Sequence, residues 1–285
     1  MGTTAEKVKQ QFVKALQKLG GRNHWPKELR QLKRDLETES LEYQLDPLAR
    51  IYAQVQHLTA IFAEGATGFP VFKKYVKVVG DAEEEYMPSF PPISPLTSSY
   101  FTTWALYDLP IDHTGDTLGI CQLQCVDIFP LSEQECTALK NQIDGRMGIY
   151  EHLGMDGDKV RLRELLTERE YSCHCIAGYK GNRGELWYVR LCNPLSGMSE
   201  THCTSFTTPY ILTQTTKRDW EDYMTRAMAT VKPIPGKDQL HCLLKYGSRV
   251  DYWHEYIMNG YVTYNQNAVF LTGIPDIKST LPHAR

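Results

Sequence analysis

The sequence lacks several features that would assign it to a familiar functional class. No apolar run approaches the roughly 20 residues of a membrane-spanning helix, so we expect no membrane association. The phosphate and dinucleotide motifs GxxxxGK(S/T) and GxGxxG are missing, as are the GxSxG and HExxH signatures of common hydrolases. No repeat at a solenoid period occurs either. The chain therefore carries no motif that names a chemistry.

Net charge, the N-terminal residues and the cysteine count together predict the compartment in which the protein works. A formal net charge of −3 gives no overall attraction to nucleic acid or to anionic membranes. The N-terminus is polar and charged and has no signal-peptide apolar stretch, so we expect a cytoplasmic protein. In that compartment the eight cysteines are expected to be reduced thiols, not a disulfide framework. No cofactor is predicted.

The N-terminal region is predicted to be helical. Residues 3–19 show an amphipathic pattern with Val8, Phe12, Leu16 and Leu19 on one stripe. A second helix is expected from Pro26, and Asp46-Pro47 has the N-cap and first-turn chemistry that begins a third. We expect a protein partner to bind through these helices.

A proline-rich stretch marks the predicted domain boundary. Residues 87–96 contain four prolines, which excludes regular structure there. We therefore predict an N-terminal helical region at 1–86, a connector at 87–96 and an α+β domain at 97–285.

Residues beyond the connector alternate between strand and helix patterns. Strands are predicted at 99–109, 117–129 and 261–272, and Tyr171–Leu212 reads as a hairpin followed by a third strand. Helices are predicted at about 132–145, 159–168, 217–231, 237–246 and 249–259. Hairpin connections favour an α+β fold, with a mostly antiparallel sheet packed with helices.

The predicted hairpin tip is a candidate site for a phosphate or an acidic ligand. Lys180 and Arg183 lie beside glycines, so backbone amides and cations could both approach an anion, and Arg190 could extend the patch. The alternative is a solvated turn whose charges serve solubility.

Cysteine and histidine residues offer two further candidates. Cys173 and Cys175 share one strand face and, with His202, could form a metal site, although the CxxC spacing typical of zinc is absent. A cysteine nucleophile could pair Cys192 or Cys203 with His241 or His254. The alternative is that these cysteines are small buried core residues.

A third candidate is an aromatic cluster near the C-terminus. Tyr252, Trp253 and Tyr256 have polar tips of the kind found in ligand pockets and interfaces, and the alternative is an aromatic core. Because catalytic signatures are missing, the leading prediction is a non-catalytic binding protein that acts through a protein partner or a small ligand. The competing prediction is a hydrolase or a nucleotide or phosphate-ligand enzyme with a Cys/His or metal centre near residues 171–212.

Overall fold

The computed structural model describes residues 3–18, 31, 33–35, 38, 46–88 and 94–282. Contacts group the chain into two compact units, of which the first comprises Met1–Asp81, Thr102–Asp144 and Leu195–Glu200. The second comprises Ala82–Phe101, Gly145–Pro194 and Thr201–Arg285. Residues 102–144, assigned by sequence to the α+β domain, thus group with the N-terminal helices. The connector at 87–96 stays a prediction, since residues 89–93 lie outside the described residues.

The chain up to residue 144 is helical wherever the structure describes regular elements. The helices are α1 Thr4–Lys18, α2 Pro47–Ala66, α3 Lys73–Tyr86, α4 Ser98–Thr103, α5 Leu118–Gln124 and α6 Glu133–Asp144, with a 3-10 turn at Pro70–Phe72 and a π-helix at Trp104–Asp108. The strands predicted at 99–109 and 117–129 are therefore wrong. Every residue of the π-helix is buried, and a short apolar run buried on all sides has no periodicity that separates helix from strand.

The apolar stripe of α1 is buried within its own unit. Val8 and Phe12 are buried, and the Phe12 ring lies 5.3 Å from Phe62 and 5.5 Å from Phe129 between centroids. These aromatic contacts confirm the predicted face of the helix. The side chains of Leu16 and Leu19 and most of the helix predicted from Pro26 lie outside the described residues.

The polar loop that contains Asp112 and Asp116 accepts hydrogen bonds from the start of α1. Asp112 accepts a hydrogen bond from the Thr4 hydroxyl at 2.5 Å, and from the backbone N–H and hydroxyl of Thr114 at 2.9 and 2.6 Å. Asp116 accepts from the backbone N–H of Ala5 at 2.9 Å. Two carboxylates therefore satisfy groups at the positive end of the α1 dipole.

We expect Asp112 to make the first unit sensitive to acid. Burial raises the pKa of Asp112, but hydrogen bonds from Thr114 and Thr4 outweigh it and lower the pKa to about 2. The ordinary value is about 3.9, so this stabilisation is fully present above that pH and is lost as pH falls toward 2. Urea unfolding of wild type and Asp112→Asn should show a stability difference that is larger at pH 6 than at pH 2.5.

The isosteric Thr4→Val variant keeps the carboxylate and removes one donor, so it should reduce the pH dependence only in part. A difference between wild type and Asp112→Asn that is equal at both pH values would contradict a depressed pKa.

The second unit is built on one eight-stranded sheet. Its strands are β1 Met147–Asp156, β2 Lys159–Glu164, β3 Glu170–Cys175, β4 Leu186–Cys192, β5 Cys203–Ser205, β6 Tyr210–Thr213, β7 Tyr261–Asn265 and β8 Ala268–Thr272. The order is β1-β2-β3-β5-β4-β6-β8-β7, and β4 also pairs with β1, which closes five strands into a barrel. Six of the eight pairings are antiparallel and two are parallel. The predicted α+β class is confirmed, with mixed strand orientation.

The predicted hairpin is wrong, because β3 and β4 are not neighbours. Strand β5 lies between them, parallel to β3 through Cys173 and Cys203 and antiparallel to β4 through Cys192 and Thr204. The loop after β3 folds back on β1, where Gly184 N–H donates to the His152 carbonyl at 2.8 Å. Long-range pairing thus replaces the expected tight reversal.

Two further corrections concern neighbouring elements. Residues 159–164, predicted as part of a helix, form β2, in which Val160 and Leu162 alternate inward and pair with β3. The predicted final strand at 261–272 is two strands, β7 and β8, paired antiparallel. Strand β1 was missed.

Three further helices belong to the second unit: α7 Lys217–Met228, α8 Gln239–Tyr246 and α9 Tyr252–Gly260, with a 3-10 turn at Lys278–Thr280. They confirm the helices predicted from residues 217, 237 and 249. A reciprocal capping box joins Thr216 and Asp219 at the start of α7. Trp253 of α9 packs on Tyr188 of β4 with centroids 4.9 Å apart. Among the described helices, none has both the length and the apolar character to cross a membrane.

Candidate functional site

The structure does not bring the three predicted anion-binding cations together. Lys180 and Arg183 are exposed on the loop between β3 and β4. Arg190 is 1% exposed, and its guanidinium donates to the Gly145 carbonyl at 2.9 Å. A ligand at the loop would therefore meet two of these side chains and not the third.

A carboxylate of the protein already occupies the inner side of that loop. Glu185 accepts hydrogen bonds from the Tyr179 hydroxyl at 3.2 Å, the Asn182 side chain at 2.9 Å and the Trp187 indole at 3.2 Å. The backbone amides of Gly184 and Glu185 donate to protein carbonyls. These donors are thus used within the fold and are not directed at an anion.

The candidate metal ligands face different directions. Cys173 and Cys175 alternate inward on β3 and belong to the apolar core of the barrel. His174, on the other face, lies 6.3 Å from His202 between ring centroids, so His202 lies with His174 and not with the two thiols. In the described parts of the chain, no group of three or more His, Cys, Asp or Glu side chains is arranged to hold a metal ion.

Burial makes the candidate cysteine nucleophiles and their histidine bases less reactive. It raises the pKa of Cys192 to about 12 and that of Cys203 to about 11. Burial also lowers the pKa of His241 and His254 to about 4 in each case. Because the thiolate is the reactive form, thiols that stay protonated and imidazoles that are weak bases are poorly suited to nucleophilic catalysis.

A pocket of about 660 Å³ lies in the second unit, along one side of α9. That helix contributes Tyr252, Glu255, Tyr256, Met258 and Asn259. Residues three and four apart share a helix face, which explains why the sequence places these side chains on one wall. The aromatic cluster predicted from sequence is thus partly a pocket wall.

Trp253 belongs to the core and not to this wall. It is 4% exposed, stacks on Tyr188, and its indole N–H donates to the Leu243 carbonyl at 2.9 Å. The structure therefore brings Tyr252 and Tyr256 together at the pocket and turns Trp253 toward the sheet.

Tyrosine hydroxyls supply neutral hydrogen-bonding groups in this region. The hydroxyls of Tyr223 and Tyr252 lie 2.8 Å apart. The Tyr256 hydroxyl is buried and has no hydrogen-bond partner among the described residues. Burial raises the pKa of Tyr256 well above its ordinary value, so the group stays protonated and can both donate and accept. An unsatisfied buried hydroxyl costs about 1–3 kcal/mol.

Charged side chains from distant segments complete the pocket. Arg249, in the loop before α9, forms an ion pair with Glu255. Glu85 and Tyr86 come from the end of α3, and Lys278 comes from the C-terminal 3-10 turn. Sequence reasoning identified Tyr252 and Tyr256 of this lining and missed Glu85, Tyr86 and Lys278, because no local pattern links positions that far apart in the chain.

Negative charge gathers at the Glu85 side of the pocket. Burial, followed by the charges of Asp251 and Glu85, raises the pKa of Tyr86 to about 12. Burial and then Glu85 also raise the pKa of Asp251, while Arg249 opposes both shifts. Arg249, a cation of the same pocket lining, thus offsets part of this negative charge.

Comparison of the chain with protein-family models, with curated proteins and with solved structures returns no match. Function is therefore inferred from the geometry and chemistry of the site.

Proposed function

We propose that this protein is a non-catalytic cytoplasmic binding protein that takes a small organic ligand in the pocket along α9. The observation that most directly supports this proposal is a cavity of about 660 Å³ lined by tyrosines and by charged side chains of both signs. Pockets for drug-sized ligands measure roughly 300–1,000 Å³ and combine apolar walls with a few polar groups. All eight cysteines are free thiols, which supports a reducing compartment.

The alternatives have less support. A Cys/His hydrolase would need an activated thiol, whereas burial raises the pKa of Cys192 and Cys203. A phosphate-ligand enzyme would need the cations near residues 171–212 to converge, whereas Arg190 is bound to Gly145. A partner surface on the apolar stripe of α1 would need that stripe to be exposed, whereas Val8 and Phe12 are buried.

A pocket-blocking variant tests the proposal. Asn259 lines the pocket at a half-buried position, so Asn259→Trp should fill it, and Ser172→Trp at an exposed position of β3 is the matched control. We expect members of a chemically diverse small-molecule set to raise the melting temperature of wild type and Ser172→Trp. A ligand at a hundredfold its Kd adds about 2.7 kcal/mol of stability.

The same compounds should leave the melting temperature of Asn259→Trp unchanged. Two outcomes count against the proposal: stabilisation of the blocked variant to the same extent, or no stabilisation of any form by any compound. Ligand-observed NMR on the three proteins gives an independent measure of binding.

A further inference from the structure

We propose that the outer edge of β7 pairs with β7 of a second copy of this chain, so that two sheets join across a twofold axis. The surface is separate from the pocket, because no residue of β7 belongs to the pocket lining. Strands β1 to β5 close into a barrel, β6 and β8 extend the sheet from β4, and β7 comes last. In the described sheet, β7 alone therefore has a single partner strand.

The edge of β7 is accessible. Residues 262–265 are exposed, and two of them are large apolar side chains, Val262 at 47% and Tyr264 at 51%. A bulge between Tyr261 and Thr263 leaves residues 263–265 in regular register with β8. Edge strands are commonly protected by charged side chains or by proline, and residues 261–268 contain neither. The backbone groups along this edge are thus open to pairing with another strand.

A row of side chains on the helix-covered face of the sheet runs out to this edge. Residues that are direct partners on neighbouring strands share a face. The row consists of Tyr188 of β4, Tyr210 of β6, Val269 of β8 and Tyr264 of β7. The first three are at most 1% exposed, whereas Tyr264 is half exposed. A further strand with an apolar or aromatic residue opposite Tyr264 would extend the buried row.

Strand β7 itself supplies such a residue. In a twofold-symmetric antiparallel pair, residue i of one copy faces residue j of the other, and j faces i. An axis at Tyr264 places this ring opposite its counterpart in the second copy, and places Thr263 opposite Asn265. Cross-strand aromatic pairs are stabilising, whereas like charges in direct opposition are destabilising. Because β7 carries no charge, two copies meet without repulsion.

The small size of the contact predicts a weak dimer. The strand has five residues, so the paired edges bury less than the roughly 1,200 Å² at which stable interfaces begin. We expect a dissociation constant on the order of 100 µM, between the micromolar and millimolar ranges.

Sedimentation velocity on the full chain tests this expectation. Between about 5 and 500 µM, a range that brackets the expected constant, wild type should shift from monomer to dimer. Tyr264→Lys should weaken association at least about tenfold, because two ammonium groups would then face each other. Val76→Lys, at a 44% exposed position of α3, is the matched control and should dimerise like wild type. Equal melting temperatures at low concentration verify that both variants fold.

A charge-exchange experiment tests the register. Tyr264→Glu should also be monomeric by itself, for the same reason as Tyr264→Lys. An equal mixture of the two variants should dimerise at least as tightly as wild type, since opposite charges then stand in direct opposition. The mixture restores association only where position 264 faces itself. Amide hydrogen exchange should show protection of β7 that rises with protein concentration in wild type and not in Tyr264→Lys.

Three results would overturn the inference, and none of them bears on the pocket. The first is wild type that stays monomeric over the whole concentration range. The second is a dimer that Tyr264→Lys and Val76→Lys affect equally, which would place the interface elsewhere. The third is a monomeric chain whose β7 amides are protected by an uncharged peptide of alternating Val and Thr, which would assign the edge to a strand of another protein.

Discussion

Replacing Glu164 by Gln is expected to destabilise the second unit by about 3–5 kcal/mol, because it leaves a buried charge without its partner. The Glu164 carboxylate lies at the barrel on the same face as Tyr150 and is 3% exposed. It accepts from the Arg146 guanidinium at 2.7 Å and from the Thr167 hydroxyl at 2.6 Å. Burial works to lower the pKa of Arg146, but the charge of Glu164 raises it above its usual value. The guanidinium therefore stays charged and needs its counterion.

Two comparisons make this prediction specific. The exposed ion pair of Lys77 and Asp81 on α3 is the matched control, and Asp81→Asn should change stability by less than about 0.5 kcal/mol. Replacing both buried partners, as Arg146→Met with Glu164→Leu, should recover most of the loss, since apolar pairs substitute well for buried ion pairs. Urea unfolding followed by tryptophan fluorescence measures all three. An equal cost for Glu164→Gln and Asp81→Asn would show that the buried pair contributes no more than a surface pair.

Trp253→Ala is expected to cost about 3–5 kcal/mol, because it opens a cavity between α9 and the sheet. The indole is 4% exposed and stacks on Tyr188 at 31° between ring planes. It also donates to the Leu243 carbonyl at the end of α8, so truncation removes both a packed ring and a buried hydrogen bond. Thermal and urea unfolding should both report the loss.

Trp253→Phe keeps an aromatic ring and removes the N–H donor, so we expect a smaller loss, of about 1–2 kcal/mol. Tyr264, which is 51% exposed on β7, gives the surface control, and Tyr264→Ala should stay within about 0.5 kcal/mol of wild type. Because Trp253 is absent from the pocket lining, Trp253→Phe should keep ligand affinity. Loss of ligand binding with little loss of stability would instead assign Trp253 to the site.

The starts of α2 and α6 were predictable because their hydrogen bonds are local. Asp46 accepts from the backbone of Leu48 and Ala49, and a reciprocal capping box of Ser132 and Glu135 begins α6, the helix predicted at about 132–145. Such caps join residues two or three positions apart, so the sequence around them contains both partners. The α+β class followed from the same local patterns.

Strand partners were not predictable in this way. Strand β5 inserts between β3 and β4, and the closure of β1 on β4 makes the barrel. Each pairing joins residues separated by a long loop, and an apolar alternation indicates only which face is buried, not which strand lies beside it. The missed β1 and the false hairpin have this common cause.

In the candidate site, too, the local arrangement was predictable from the sequence and the long-range contacts were not. The sequence by itself determined that Tyr252 and Tyr256 share one face of a helix, because the helical period decides it. Only the tertiary structure decided that this face borders a pocket, that Glu85 and Lys278 join it, and that Trp253 turns to the sheet. The physical reason is that a cavity and its charges arise from packing between segments far apart in the chain, whereas the sequence encodes directly only what neighbours within a few residues do to one another.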